Sequence, residues 1–227
     1  MKYKWIAILI MMTFCVYAIN VLEAASEINW NVSPRLWYAN WNIEDWTNDS
    51  TLMGGIGISM SFYKFGFGLS FLAGDFDLGD DEYTTSINRT DTDLYLSFKI
   101  AEPYFSLSVG HKLINYELKY ELYYDEKAKL ELTGFGLGCA GAIPIVGNSY
   151  FYYIASIIPS MEAVIEYEDY GEKFEQDLSS YNIEFGAGYS INEKVSISLG
   201  WKYQQFDWDE GDDDSVSGIT TMVIFNF

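Results

Sequence analysis

The sequence is poor in basic residues. Only 13 Lys and Arg oppose 33 Asp and Glu over 227 residues, a formal net charge of −20. Nucleic-acid binding needs a basic face, so that class is excluded. One histidine, His111, leaves no room for catalysis or metal binding built on several imidazoles. Four prolines and 19 glycines exclude a collagen-like or proline-rich chain. No stretch reaches the length of about 18 apolar residues that a transmembrane helix requires, so none is predicted. Aromatic residues, by contrast, make up 18% of the chain, too many for a disordered protein despite the charge.

The N-terminus reads as an export signal. Lys2 and Lys4 precede an apolar run from Trp5 to Val16, with small residues at Ala18, Ala24 and Ala25. The run is too short to span a bilayer, which takes about 20 residues, and suits a signal-peptide core. Phe14 before Cys15 is too large for a lipoprotein signal. Residues 1–25 are therefore expected to be removed, leaving a mature domain at 26–227. Its charge would be one unit more negative, since Lys2, Lys4 and Glu23 are lost. Cys15 leaves with the signal, so Cys139 stands alone and no intramolecular disulfide is expected.

The rest of the chain alternates with period 2. Ile56-Gly57-Ile58-Ser59-Met60-Ser61-Phe62, Leu94 to Ile100, Val195 to Lys202 and Tyr181 to Tyr189 each place large apolar residues on one face and small ones on the other. A soluble barrel packs its apolar face inward and shows a charged face to water. Here the second face is mostly Gly and Ser, a poor aqueous surface but a reasonable lining for a barrel whose apolar side meets lipid. Ten strands are predicted near 31–41, 53–63, 65–74, 91–100, 104–116, 130–141, 150–165, 179–190, 195–206 and 218–227. Eight is the alternative if the first and a neighbour are misassigned. Short connections alternate with long ones at 42–52, 75–90, 117–129, 166–178 and 207–217, the asymmetry of short periplasmic turns and long outer loops.

The last ten residues, Gly218 to Phe227, alternate and end on an aromatic residue, with Phe225 and Phe227 on one parity. This segment resembles the terminal strand of bacterial outer-membrane β-barrel proteins, whose final Phe is read by the barrel-assembly machinery. With the hairpins, the resemblance extends over residues 26–227 and points to small barrels of the OmpA, opacity or omptin type. It implies an all-β, antiparallel up-and-down transmembrane barrel in the bacterial outer membrane, with lipopolysaccharide around it and a monomer favoured.

The wall then divides into two faces. Ile56, Ile58, Phe67, Leu69, Leu107, Leu137, Ile183, Phe185, Ile197 and Leu199 are among those expected to face lipid. Trp37, Trp41, Tyr63, Tyr104, Tyr150, Tyr152, Tyr153, Tyr189, Trp201 and Phe227 are expected in two interfacial girdles. Arg35, Asp93, Lys99, Lys112, Glu162, Glu184 and Lys202 fall on the small-residue face as lumen charges. They must pair or stay hydrated. They form either a network that closes the lumen or the constrictions of a narrow pore.

Acidity concentrates in the long connections. Asp75, Asp77, Asp80, Asp81 and Glu82 share a spelling with Asp207, Asp209, Asp212, Asp213 and Asp214: Asp-aromatic-Asp, then a Gly and three carboxylates. Hard cations take six to eight oxygens, so these residues are candidate ligands for Ca²⁺ or another divalent ion, although the spacing is not that of an EF-hand. The alternative is a solvated acidic rim. No other cofactor is indicated. Enzymatic outer-membrane barrels usually need a histidine base, and His111 falls on the lipid-facing parity with no Gly-x-Ser-x-Gly element nearby. The expected role is non-enzymatic: structural or surface-interacting through acidic loops. A narrow cation-preferring channel is the second reading, and an outer-membrane hydrolase the third.

Overall fold

The computed structural model describes residues 28–43, 49–79, 84–120, 126–167, 172–209, 211 and 213–227. Ten antiparallel strands run in chain order: β1 (Ile28–Ile43), β2 (Asp49–Phe62), β3 (Phe65–Gly79), β4 (Thr84–Ala101), β5 (Phe105–Tyr120), β6 (Glu126–Pro144), β7 (Ser149–Tyr167), β8 (Glu172–Asn192), β9 (Val195–Trp208) and β10 (Asp214–Asn226). Each pairs with its sequence neighbours, and β1 pairs with β10 to close the barrel. Closure removes the unpaired sheet edges that lipid could not solvate. The last residue takes part: Phe227 N–H donates to Trp30 O at 2.8 Å.

All ten predicted strands are present, and they are longer than the alternation indicated. Strands reach 21 residues in β8, about twice the 9–11 needed to cross a bilayer. The surplus lies at the end away from the chain termini. Much of what the sequence presented as long acidic loops is therefore paired strand. Asp75 and Asp77 belong to β3, Asp207 to β9 and Asp214 to β10. Asn and Asp are poor strand formers by propensity, but the ladder carries them: Asp75 pairs with Asn88 beside the apolar pair Phe76↔Ile87.

At the terminal end the connections are tight. Tyr63-Lys64, with Tyr63 at φ 50°, joins β2 to β3. Asn192 Oδ1 accepts the N–H groups of Lys194 (2.8 Å) and Val195 (2.9 Å), locking the β8–β9 turn.

The outward belt is as expected. Ile56, Ile58, Leu69, Leu107, Leu137, Ile183, Phe185, Ile197 and Leu199 are all exposed. The girdle needs correction. Tyr63, Tyr104, Tyr189, Trp201 and Phe227 are exposed, but Trp37, Trp41 and Tyr152 are buried inside the barrel. Period 2 sorts residues into two faces without saying that a large aromatic must take the outer one.

A candidate functional site in the lumen

The lumen is built from the inward residues of every strand. Many are glycines, and these act as floors on which inward tyrosines lie. A Cβ on Gly68 would sit 2.2 Å from the Tyr95 ring, and one on Gly188 would sit 2.2 Å from the Tyr150 ring. Tyr150 thus also leaves the predicted girdle for the interior. Small residues on one strand admit large ones from the next, so part of the space that composition suggested is filled.

Towards the end bearing the acidic strand extensions, the interior is a packed apolar core. Trp37, Trp41, Met53, Leu72, Phe76, Ile87, Ile114, Tyr116, Leu132, Met161, Leu178, Phe206 and Val216 are buried against one another. Trp41 packs on Phe76 and on Tyr116, each with ring centroids 5.2 Å apart. At its centre is Arg89, fully buried. Its Nε donates to Asp91 Oδ1 at 2.7 Å and its Nη2 to Asp91 Oδ2 at 3.0 Å. Nη2 also donates to Gln204 Oε1 at 2.6 Å. The rings of Trp37, Trp41, Tyr116 and Phe206 surround the guanidinium at 5.4–6.0 Å. Bidentate pairing and aromatic faces together offset its desolvation.

Below this plug the charged groups continue. Lys112 Nζ donates to Asp93 Oδ1 at 2.8 Å and stands 3.9 Å from Asp91 Oδ2. Ser70 Oγ donates to Asp93 Oδ2 at 3.2 Å. Glu184 accepts from Tyr152 Oη (3.1 Å) and Thr220 Oγ1 (3.3 Å). Lys202, opposite Glu184 in register, places Nζ 4.2 Å from the Trp37 ring centroid. Lys99 pairs with Glu102 at 2.6 Å near the turn end. Under these groups lie two pockets of about 480 and 380 Å³, joined through shared walls at Asn31, Arg35, Ser59, Tyr95, Lys99 and Ser106.

Six of the seven predicted lumen charges, Arg35, Asp93, Lys99, Lys112, Glu184 and Lys202, line this space. Glu162 does not belong with them. Pro159 and Ser160 form a bulge in β7, where the register with both neighbours shifts before Met161. Pro lacks the ladder donor and collects at such places. The extra residue inverts the alternation, so Met161 and Ala163 are fully buried in the core and Glu162 takes the outer face. Sequence reasoning missed Arg89 and Asp91. Arg89-Thr90-Asp91-Thr92-Asp93 carries the Asp93 parity straight back into the supposed loop, and that alternation was the available signal.

The described members of the proposed metal-ligand set are spread over separate strands. Asp75 and Asp77 are exposed on the outer face of β3, and Asp75 accepts from Asn88 Nδ2 at 2.8 Å. Asp207 and Asp209 lie by β9, with β2, β1 and β10 between them and β3. Asp213 and Asp214 serve the β9–β10 connection: Asp213 Oδ1 accepts Trp208 N–H at 3.2 Å and Asp214 Oδ2 accepts Trp208 Nε1–H at 3.0 Å. Asp80, Asp81, Glu82 and Asp212 lie outside the described residues, as does the predicted signal segment 1–25. Among the described residues no group of three His, Cys, Asp or Glu is placed to hold a metal ion. His111 is on the outer face, with Nε2 3.0 Å from Thr133 Oγ1 and its ring edge-on to Phe135. Phe225 and Phe227 are exposed at the turn end.

Comparison of the sequence with family models and with curated proteins finds no match. Solved structures do match. The outer membrane protease OmpT from Escherichia coli superposes with a TM-score of 0.63 at 10% identity, over 89% of this chain and 97% of that one. The translocator domain of the autotransporter NalP from Neisseria meningitidis gives 0.52 at 8% identity, over 99% and 98%. At such identities the likeness is one of fold, and the two neighbours do different things. The lipid-ready belt, the closed ladder and these superpositions agree: this chain has the fold of a small ten-stranded outer-membrane β-barrel.

Proposed function

We propose that this protein is a non-conducting, non-enzymatic barrel of the bacterial outer membrane that works through the acidic end it presents outside the bilayer. The observation that carries this reading is the plug. Trp37 and Trp41 from β1, Arg89 from β4, Tyr116 from β5 and Phe206 from β9 meet across the lumen from all sides. A water path would have to break the Arg89–Asp91 pair and part a packed core. Beyond it, Asp75, Asp77, Glu175, Asp177 and Asp209 are exposed around the rim, a surface that attracts cations and basic partners. Lipid and lipopolysaccharide would contact the belt, and Phe225 and Phe227 would serve the barrel-assembly machinery. The placement of His111 on the outer face supports a role without hydrolysis.

The test is conductance of the refolded barrel in a planar bilayer across a salt gradient. A silent, folded barrel is expected. Discrete openings in the unaltered protein would overturn the reading and restore the channel hypothesis.

A further inference from the structure

The charges facing the lumenal pockets do not balance. Lys112 is taken by Asp93 (2.8 Å) and Lys99 by Glu102 (2.6 Å). Glu184 accepts the hydroxyls of Tyr152 and Thr220 but keeps its negative charge, and it lies opposite Lys202 in register. Against that one carboxylate stand Arg35 and Lys202, both lining the larger pocket, so one positive charge is in excess. Arg35 Nε is buried and has no hydrogen-bond partner. The guanidinium lies over Gly57, where an added Cβ would be 2.6 Å from Ser33 Oγ and 3.3 Å from Arg35 Nε, so glycine leaves room for both side chains. Lys202 is buried, with Trp37 beneath its ammonium. An interior guanidinium whose Nε finds no acceptor is costly.

The rest of the space is amphipathic. Tyr95, Tyr152, Phe105, Ile154 and Met222 form much of the wall of the adjoining pocket. Its size, about 380–480 Å³, lies in the range of small-molecule sites, which combine apolar walls with a few convergent polar groups. Lys99 and Glu102 stand beside Pro103 at the turn end, and the plug seals the other end.

We infer that the turn-side half of the lumen is a binding pocket for a small carboxylate with an apolar body. Arg35 takes the carboxylate in its planar fork, Lys202 adds the second positive charge, and the tyrosine-lined wall takes the apolar body. The ligand enters from the periplasmic mouth. This deepens the closed-barrel reading, on which only the choice of entrance rests.

The experiment is calorimetry on the folded barrel in dodecyl maltoside, with benzoate, its neutral isostere benzamide, and inorganic phosphate as probes. Benzoate should bind at least about ten-fold more tightly than either of the others. Arg35→Gln should weaken benzoate by about ten-fold or more, and Arg35→Lys should recover part of the loss. Heat-modifiability on gels checks that each variant is folded. Absence of benzoate binding at millimolar concentration, equal binding of benzamide, phosphate binding as tight as benzoate, or full affinity in folded Arg35→Gln would each overturn the inference. Comparison within the unaltered protein keeps the test decisive if a variant does not fold. Conductance is read separately, so a conducting barrel that binds benzoate and a silent barrel that does not are distinguishable results.

Discussion

Arg89 and Asp91, two residues apart on β4, form a bidentate ion pair at 2.7 and 3.0 Å in which both side chains are shut away from solvent. Strand geometry alone turns both inward, and the neighbouring strands supply the rings and Gln204 that complete their surroundings. Such a pair adds little net stability over an apolar substitute, but breaking it strands a buried charge.

Asp91→Ala should therefore cost about 3–5 kcal/mol, measured as the shift in urea unfolding of the refolded barrel. Replacing both members, Arg89→Met with Asp91→Leu, should recover most of it. If the single substitution unfolds with an unchanged midpoint, the pair does not hold the plug together.

Two inward glycines should respond differently to alanine. At Gly55 a Cβ would lie 1.9 Å from the backbone oxygen of Phe71, which the ladder holds in place. At Gly68 it meets the far end of the Tyr95 ring, which can swing into the pocket. Gly55→Ala should be the more damaging, and Gly68→Ala should cost about 1–3 kcal/mol as overpacking. Tyr95→Ala should absorb most of the Gly68→Ala penalty in a double-mutant cycle; strict additivity would show that the ring contact carries no energy.

Opening the plug should create a pore of defined selectivity. Trp37→Ala with Phe206→Ala removes two fully buried rings from around Arg89. The exposed path would carry Arg35, Arg89, Lys112 and Lys202 against Asp91, Asp93 and Glu184, one positive charge in excess, so the openings should lean towards anions despite the net charge of −20. Reversal potentials across a potassium chloride gradient decide it, and a cation-selective reversal would contradict the interior charge assignment.

Phe227 is three-quarters exposed and makes its hydrogen bonds through the backbone. Phe227→Ala should leave the unfolding midpoint of the refolded barrel within about 0.5 kcal/mol, as for an ordinary surface change. Its yield in the outer membrane of living cells should fall. A parallel loss of stability in vitro would assign Phe227 to packing and not to assembly.

Much of the architecture was legible because a lipid-facing strand repeats every two residues and lipid tolerates few polar side chains. Ile56-Gly57-Ile58 and Val195-Ser196-Ile197 state which face is which without any knowledge of their neighbours. Strand number, order and the outward belt follow from that. The alternation also placed Arg35, Asp93, Lys99, Lys112, Glu184 and Lys202 inside. It failed where the local signal changes sign or fades. The β7 bulge turned Glu162 outward, and the polar run around Arg89 resembled a loop because strand propensity is weak next to ladder pairing.

What only the tertiary structure decided is the content of the barrel. Trp37 and Trp41 could as well have been girdle residues, and Asp213 and Asp214 cation ligands, on their local pattern. Their true neighbours come from strands far apart in the chain: Arg89 reaches Gln204 across 115 residues. Closure of β1 onto β10 brings those strands around one axis, and the competition for that confined space determines which charges are paired and which, like Arg35, are left facing a pocket.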